Sequence, residues 1–132
     1  MVRTRGLAHM SIPVTDLERS REFYCRNLGM KFLSAPPGSG MVFLDAGGDC
    51  IILVKVERPI STARVNTVHH AFIVAHDDYA QALRELRENG VEILSEEDRR
   101  GENVNGPRAY FYDPDGNTLE IIDLTSYKGD RV

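Results

Sequence analysis

Hydrophobic and polar positions along the first half of the chain predict one strand, one helix and three further strands. An apolar run over residues 7–14 predicts the first strand, and apolar side chains at helical spacing then continue until Gly29 ends the helix. Thr15, with Glu18 three residues later, is predicted as the N-cap of a capping box. Three short strands follow, the last two joined as a β-hairpin by a glycine turn, at residues 30–35, 41–46 and 50–56.

The second half of the chain repeats this order of elements. Residues 68–75 predict a strand, and Asp77 or Asp78 caps a helix that ends at Gly90. The remaining elements are a strand at 91–95, a long polar loop at 95–107 and a hairpin of two strands at 108–113 and 118–124.

Matching residues of the two halves keep a nearly constant spacing. His9 and His69 lie 60 residues apart, as do Val14 and Val74. The sequence VFLDAGGDCIILV also aligns with YFYDPDGNTLEII without a gap, which places Phe43 on Phe111. We therefore predict an α+β fold of two tandem βαβββ modules that form a curved, cup-shaped mixed sheet with pseudo-two-fold symmetry.

The length of 132 residues fits a single domain. Its predicted parts are module one at about 6–56, a linker at 57–66, module two at about 67–124 and a short tail at 125–132.

Composition narrows the classes of function without selecting one. The net charge is −4 with both signs interspersed, which argues against a nucleic-acid-binding surface. No apolar run approaches the roughly 18 residues that a membrane-spanning helix needs, and no signal peptide is evident, so a cytoplasmic protein is predicted. Cys25 and Cys50 are not spaced as a zinc motif and are predicted to be buried free thiols.

Strand alternation distinguishes between the neighbouring histidines His69 and His70. Residues two apart share a face of a strand, so His9 and His69, at matched positions, face the same side of the predicted sheet. His70 has the opposite parity and is assigned to packing or surface, as is His76.

Glu120 lies within the apolar strand TLEII, where a carboxylate is costly unless a cation meets it. His9, His69 and Glu120 therefore form a candidate three-ligand set for a divalent metal.

Three segments carry a resemblance to a known family: HMSIPVTDLERSREFYCRNLGM, HHAFIVAHDDYAQALRELRENGVEI and YFYDPDGNTLEII. They resemble the vicinal oxygen chelate superfamily over residues 6 to about 124. The resemblance implies paired βαβββ modules and one divalent metal ion at His9, His69 and Glu120. The metal would act as a Lewis acid on a small substrate that chelates it through neighbouring oxygens.

The resemblance also implies a homodimer, in which a site can draw ligands from both subunits. Zinc, nickel, manganese and iron all suit these ligands.

Further residues receive roles on the same resemblance. Ser11 and Tyr110 are catalytic candidates, although a serine bonded to the backbone and a tyrosine in the aromatic core are alternatives. Arg108 is a candidate anion anchor for the substrate, with a solvated charge at a strand end as its alternative. The loop at 95–107 is a candidate lid or determinant of substrate choice.

The superfamily contains several reactions, and departures from their motifs favour some over others. Glyoxalase I resembles this chain but has a fourth, glutamate ligand where Ile52 stands, which disfavours its usual reaction. Extradiol dioxygenases use iron with similar ligands, yet the histidine they need before Tyr110 is absent from residues 101–103. Fosfomycin-resistance enzymes share the ligand set, Ser11 and Tyr110, but their basic cluster is not clearly reproduced. We expect a metal-dependent lyase, isomerase or transferase; the alternatives are an Fe(II) dioxygenase and a ligand-binding protein of the bleomycin-resistance type.

Overall fold

The computed structural model describes residues 1–60 and 67–128 and divides the chain into two compact units, Met1–Ser61 and Thr62–Val132. In its described residues, each unit contains one α-helix and a mixed sheet. The predicted α+β class and the repeated βαβββ order are thereby confirmed. The predicted linker at 57–66 and the tail at 125–132 lie partly outside the described residues.

The first unit follows the predicted order β, α, β, β, β. Its sheet has the strand order β1-β4-β3-β2, in which β1 runs parallel to β4 and the other pairs are antiparallel. A parallel first strand requires a crossover, and the helix provides it. The elements are β1 (His9–Val14), α1 (Leu17–Leu28), β2 (Lys31–Ser34), β3 (Met41–Ala46) and β4 (Asp49–Lys55).

The second unit repeats this topology with the strand order β5-β8-β7-β6 and a short additional strand, β9, against β7. Here β5 runs parallel to β8. A 3-10 turn over His76–Asp78 precedes the helix. The elements are β5 (His69–Ile73), α2 (Tyr79–Glu88), β6 (Ser95–Arg99), β7 (Val104–Tyr112), β8 (Thr118–Ile122) and β9 (Ser126–Tyr127).

The inner strands and one face of each helix supply the core. All five residues of β8 are buried, and Ile51, Ile52 and Leu53 are buried in β4. Tyr24 in α1 and Leu83 and Leu86 in α2 are the buried helical side chains of largest size. Both cysteines are free and half-buried. Within the part of the chain that the structure describes, no helix is long and apolar enough to cross a membrane.

The N-cap of α1 is Asp16, so the prediction of Thr15 is wrong by one residue. Asp16 has extended backbone angles and its carboxylate accepts a hydrogen bond from the Arg19 backbone N–H at 3.0 Å. Thr15 instead accepts a hydrogen bond from the Arg19 guanidinium at 3.2 Å. Gly29 ends the helix as predicted, with a left-handed φ of 62°. At α2, Asp78 occupies the N-cap position but makes no capping hydrogen bond through its side chain.

The strand predicted at 91–95 and the loop predicted at 95–107 are both wrong. Strand β6 begins at Ser95, β7 begins at Val104, and only residues 100–103 connect them. The sequence SEEDR of β6 is polar on both faces, and the strand lies at the edge of its sheet. An edge strand exposed in this way is held by backbone pairing, which a hydrophobic pattern does not report. The proposed lid is therefore mostly a β-hairpin.

The two long hairpins differ by one residue in register, so the alignment without a gap is wrong for β7. Ile52 pairs with Phe43 in the first unit, whereas Glu120 pairs with Tyr110 in the second. The first turn joins Ala46 to Asp49, but the second joins Tyr112 to Thr118 and is longer. Tyr110 therefore corresponds in the sheet to Phe43, and Phe111 faces the opposite side.

A contact between His76 and Asp123 joins the turn before α2 to the end of β8. His76 Nδ1 lies 2.6 Å from Asp123 Oδ2, and this hydrogen bond, followed by the carboxylate charge, raises the pKa of His76. A raised histidine pKa adds stability that is complete below the unfolded pKa of about 6.5 and is lost as the pH rises through the folded value.

We predict that His76→Asn lowers the free energy of unfolding more at acidic than at alkaline pH. Urea denaturation at about pH 5.5 and about pH 9, on either side of the ordinary histidine pKa, measures the difference. The pH dependence of the substitution should disappear in an Asp123→Asn background, because the carboxylate is then absent. An effect of His76→Asn that is equal at both pH values would contradict this prediction.

Gly106, in β7, lies against the backbone beyond β8. Its φ is +130°, and an added Cβ would overlap the Asp123 carbonyl oxygen and stand 3.0 Å from the Thr125 backbone nitrogen. We predict that Gly106→Ala destabilises the protein by roughly 3 kcal/mol or more, since both strain and overlap with backbone contribute. Gly101→Ala is the matched control, because its φ of +74° adds strain in open space and costs about 1 kcal/mol. Chemical denaturation measures the free energy of unfolding of both variants. Equal losses of stability in the two variants would contradict the predicted overlap with the backbone.

Candidate functional site

Strand β5 presents His69 and His70 to opposite faces of the second sheet, as predicted. His69 pairs with Thr118 in the neighbouring parallel strand, His70 with Leu119 and Ala71 with Glu120. Because paired residues share a face, the imidazole of His69 and the carboxylate of Glu120 belong to the same face. His69 is exposed there, while His70 is half-buried on the other face. Burial, followed by the charge of His69, lowers the pKa of His70.

Glu120 is a buried carboxylate with one unsatisfied oxygen. The residue is 2% exposed, and its neighbours Leu119 and Ile121 are buried as well. No donor among residues 1–60 and 67–128 hydrogen-bonds to Glu120 Oε1. A buried oxygen that accepts no hydrogen bond is costly, so Oε1 has room in its bonding for a further donor or a metal ion.

Tyr110 contacts both candidate ligands of the second unit. It pairs with Glu120 across the hairpin, and its ring centroid lies 6.1 Å from that of His69 at an interplanar angle of 64°. Burial, followed by a hydrogen bond to the Glu120 side chain, raises the pKa of Tyr110 to about 12. The phenol, which is protonated at neutral pH as in any tyrosine, acts as a hydrogen-bond donor.

Arg108 lies on the same face as Tyr110 and is buried, so the alternative of a solvated charge is wrong. Its Nε donates to the Gly106 carbonyl at 3.3 Å and its Nη2 donates to the Val104 carbonyl at 2.8 Å. Its Nη1 lies 3.9 Å from Glu120 Oε1. The role of Arg108 as an anion anchor stays a prediction.

Thr118 is a polar residue of this face that the sequence reasoning missed. It is 2% exposed, pairs with His69, and its hydroxyl oxygen has no hydrogen-bond partner within the described part of the chain. Its position two residues before Glu120 was a usable signal, because that spacing places both side chains on one face.

The first unit has a matching face in which the carboxylate is replaced. His9 pairs with Cys50, and Ser11 pairs with Ile52. Ile52 therefore occupies the strand position that Glu120 has in the second unit, as predicted, and Ser11 occupies that of Ala71. His9 and Ser11 are both exposed on this face.

Among the described residues, no three His, Cys, Asp or Glu side chains lie together in a group that could hold a metal ion. The second unit places two of the three predicted ligands, His69 and Glu120, on one face of neighbouring strands. The complete triad with His9, and the catalytic roles of Ser11 and Tyr110, stay predictions.

Curated relatives include enzymes of two kinds. The glutathione transferase FosA of Serratia marcescens is 29% identical over 119 residues, which cover 89% of this chain and 79% of FosA. The lactoylglutathione lyase of Escherichia coli O157:H7 is 27% identical over 126 residues, covering 89% and 91% of the two chains. A glyoxylase-like domain-containing protein of Didymella fabae is 33% identical over 131 residues, covering 92% and 95%.

Solved structures share the fold. The fosfomycin resistance protein FosX of Listeria monocytogenes superposes with a TM-score of 0.79 at 22% identity, covering 93% of this chain and 94% of FosX. A second FosX structure, complexed with Mn(II) and a sulfate ion, gives a TM-score of 0.75 at 21% identity, covering 91% and 90%.

The family model of the Glyoxalase/Bleomycin resistance protein/Dioxygenase superfamily matches residues 6–121. That range covers most of both units and all of the candidate site residues. The chain therefore belongs to this superfamily, whose members have the vicinal oxygen chelate fold.

Proposed function

We propose that this protein is a divalent-metal-dependent enzyme in which His9, His69 and Glu120 hold the metal ion. The supporting observation is Glu120 Oε1, which is buried on the face that carries His69 and which no described donor meets. A cation at that oxygen would offset the cost of burying the carboxylate. The FosX structure with Mn(II) supports the choice of a divalent metal.

The three candidate ligands fit such a metal in their chemistry. Two imidazoles and one carboxylate are a common donor set for zinc, manganese, nickel or iron and leave coordination positions open to substrate. When bound, the metal supplies Lewis-acid stabilisation of negative charge that develops on a substrate oxygen. Tyr110 donates a hydrogen bond from its protonated phenol, and Ser11, exposed on the face of His9, hydrogen-bonds the substrate.

We infer a transferase, lyase or isomerase that acts on a small substrate with neighbouring oxygens. The usual glyoxalase I reaction is disfavoured, because Ile52 occupies the strand position of a further carboxylate and cannot ligate a metal. Two relatives are transferases, FosA and the metallothiol transferase FosB of Staphylococcus epidermidis, which supports group transfer. The guanidinium of Arg108 is buried, so this residue would contact a substrate anion only if the anion reached into the buried cluster. A homodimer and a cytoplasmic location complete the proposal.

Replacing His69 with alanine should abolish tight metal binding, whereas His70→Ala should retain it. We expect His69→Ala to weaken Mn(II) binding by at least about 100-fold, since even the groups behind a metal ligand contribute about 10- to 100-fold. Titration calorimetry with Mn(II) measures both variants, and elemental analysis of protein purified without added metal identifies the native ion. Unchanged binding by His69→Ala would contradict the proposed ligand set. A wild-type protein that binds no divalent metal would favour the bleomycin-resistance type of ligand binder.

A mixture of two inactive variants shows which chain supplies His9. If His9 of one subunit joins His69 and Glu120 of the other, a mixed dimer of His9→Ala and Glu120→Gln chains has one intact site. Random mixing should then restore roughly a quarter of the wild-type Mn(II) sites, because half of the dimers are mixed and each has one intact site. Refolding the chains separately before mixing is the control. No recovery after joint refolding would place all three ligands in one chain.

A further inference from the structure

Arg108 is a buried cation whose position is fixed by its own strand. Its side chain is 4% exposed, far below what an unpaired guanidinium tolerates. The donors Nε and Nη2 are engaged by the carbonyls of Gly106 and Val104, at 3.3 Å and 2.8 Å. Both carbonyls belong to the beginning of β7, so the guanidinium is tethered to the strand that carries it.

The remaining nitrogen of this guanidinium faces the candidate ligand. Arg108 Nη1 lies 3.9 Å from Glu120 Oε1, and the Glu120 side chain is only 3% exposed. This distance is too long for a hydrogen bond. Solvent screens such a buried pair weakly, however, so the attraction between the charges persists. The guanidinium thus balances the charge of Glu120 without occupying the oxygen.

We propose that Arg108 is a positioning residue for Glu120, holding the carboxylate in place while leaving Oε1 available to a metal. The hydrogen bonds of Arg108 to the backbone explain why Oε1 stays available. They hold Nη1 too far from Oε1 to form a hydrogen bond that would compete with a metal. This assignment replaces the anion anchor predicted from the sequence, since the donors of Arg108 point to backbone carbonyls and to Glu120. Only its metal-dependent part rests on the proposed function.

A double-mutant cycle in the metal-free protein tests the pairing without reference to any metal. Arg108→Gln removes the charge and retains an amide donor for the backbone, and Glu120→Gln removes the opposite charge at nearly constant shape. We expect Arg108→Gln to lower Tm by roughly 5 °C or more, because it leaves a buried carboxylate without its counter-charge. The double variant should melt above the Arg108→Gln single variant, and Arg108→Lys, which keeps the charge, should melt closer to wild type. Additive losses in the double variant would overturn the proposal, as would an Arg108→Lys loss equal to that of Arg108→Gln.

The response to Mn(II) separates positioning from a role in general packing or substrate binding. A metal ion would replace the missing counter-charge, so saturating Mn(II) should raise Tm of Arg108→Gln by more than it raises Tm of the wild type. An equal Mn(II)-induced increase in Tm of the two proteins would overturn the proposal. It would also be overturned if Arg108→Gln kept the wild-type Tm without metal and only raised KM, because that result indicates a substrate anchor. If neither protein gains, the proposed metal centre is wrong, and the metal-free cycle alone then decides the role of Arg108.

Discussion

The cost of burying the carboxylate of Glu120 is the constraint on which the candidate site depends. Strand β8 lies inside its sheet and all five of its residues are buried, so a charged side chain there has no access to solvent. An apolar residue of similar volume would suit this position at least as well for stability. The charge is tolerated because Arg108 stands 3.9 Å away and Tyr110 donates a hydrogen bond. Retaining an expensive group with one oxygen unsatisfied favours a binding role over a structural one.

The two units show that one topology accommodates either an apolar side chain or a buried carboxylate at the same strand position. The register places Ile52 opposite Ser11 and Glu120 opposite Ala71, so the isoleucine and the glutamate are structural counterparts. The isoleucine adds apolar burial and stabilises the first unit directly. The glutamate requires a cluster of polar partners, and only the second unit has Arg108 and Tyr110 around that position. The duplicated fold therefore provides two equivalent strand positions, and among residues 1–60 and 67–128 a charged side chain is buried at this position in the second unit alone.

Strand parity carried most of what could be predicted from the sequence, because a period of two leaves no freedom about which face a residue occupies. It separated His69 from His70 and matched Glu120 to Ile52. Strand parity did not predict features that depend on backbone pairing. Strand β6 is polar on both faces, and the longer turn of the second hairpin shifts the register of β7 by one residue. The burial of Arg108 was also hidden, since arginine in a strand is usually solvent-exposed and only the tertiary fold shows what surrounds it.

Charge balance links the buried cluster to the kind of substrate that the proposed centre would take. Tyr110 adds no charge, because a tyrosine is neutral at physiological pH and burial raises the pKa of this one further, to about 12. The charges of Arg108 and Glu120 cancel, so the pair compensates itself and leaves the full charge of a divalent metal to the substrate. Neutral imidazoles do not reduce that charge. A substrate that presents two neighbouring oxygens, at least one of them anionic, would then be favoured over a neutral one, because it offsets the remaining positive charge in a site where water screens it weakly.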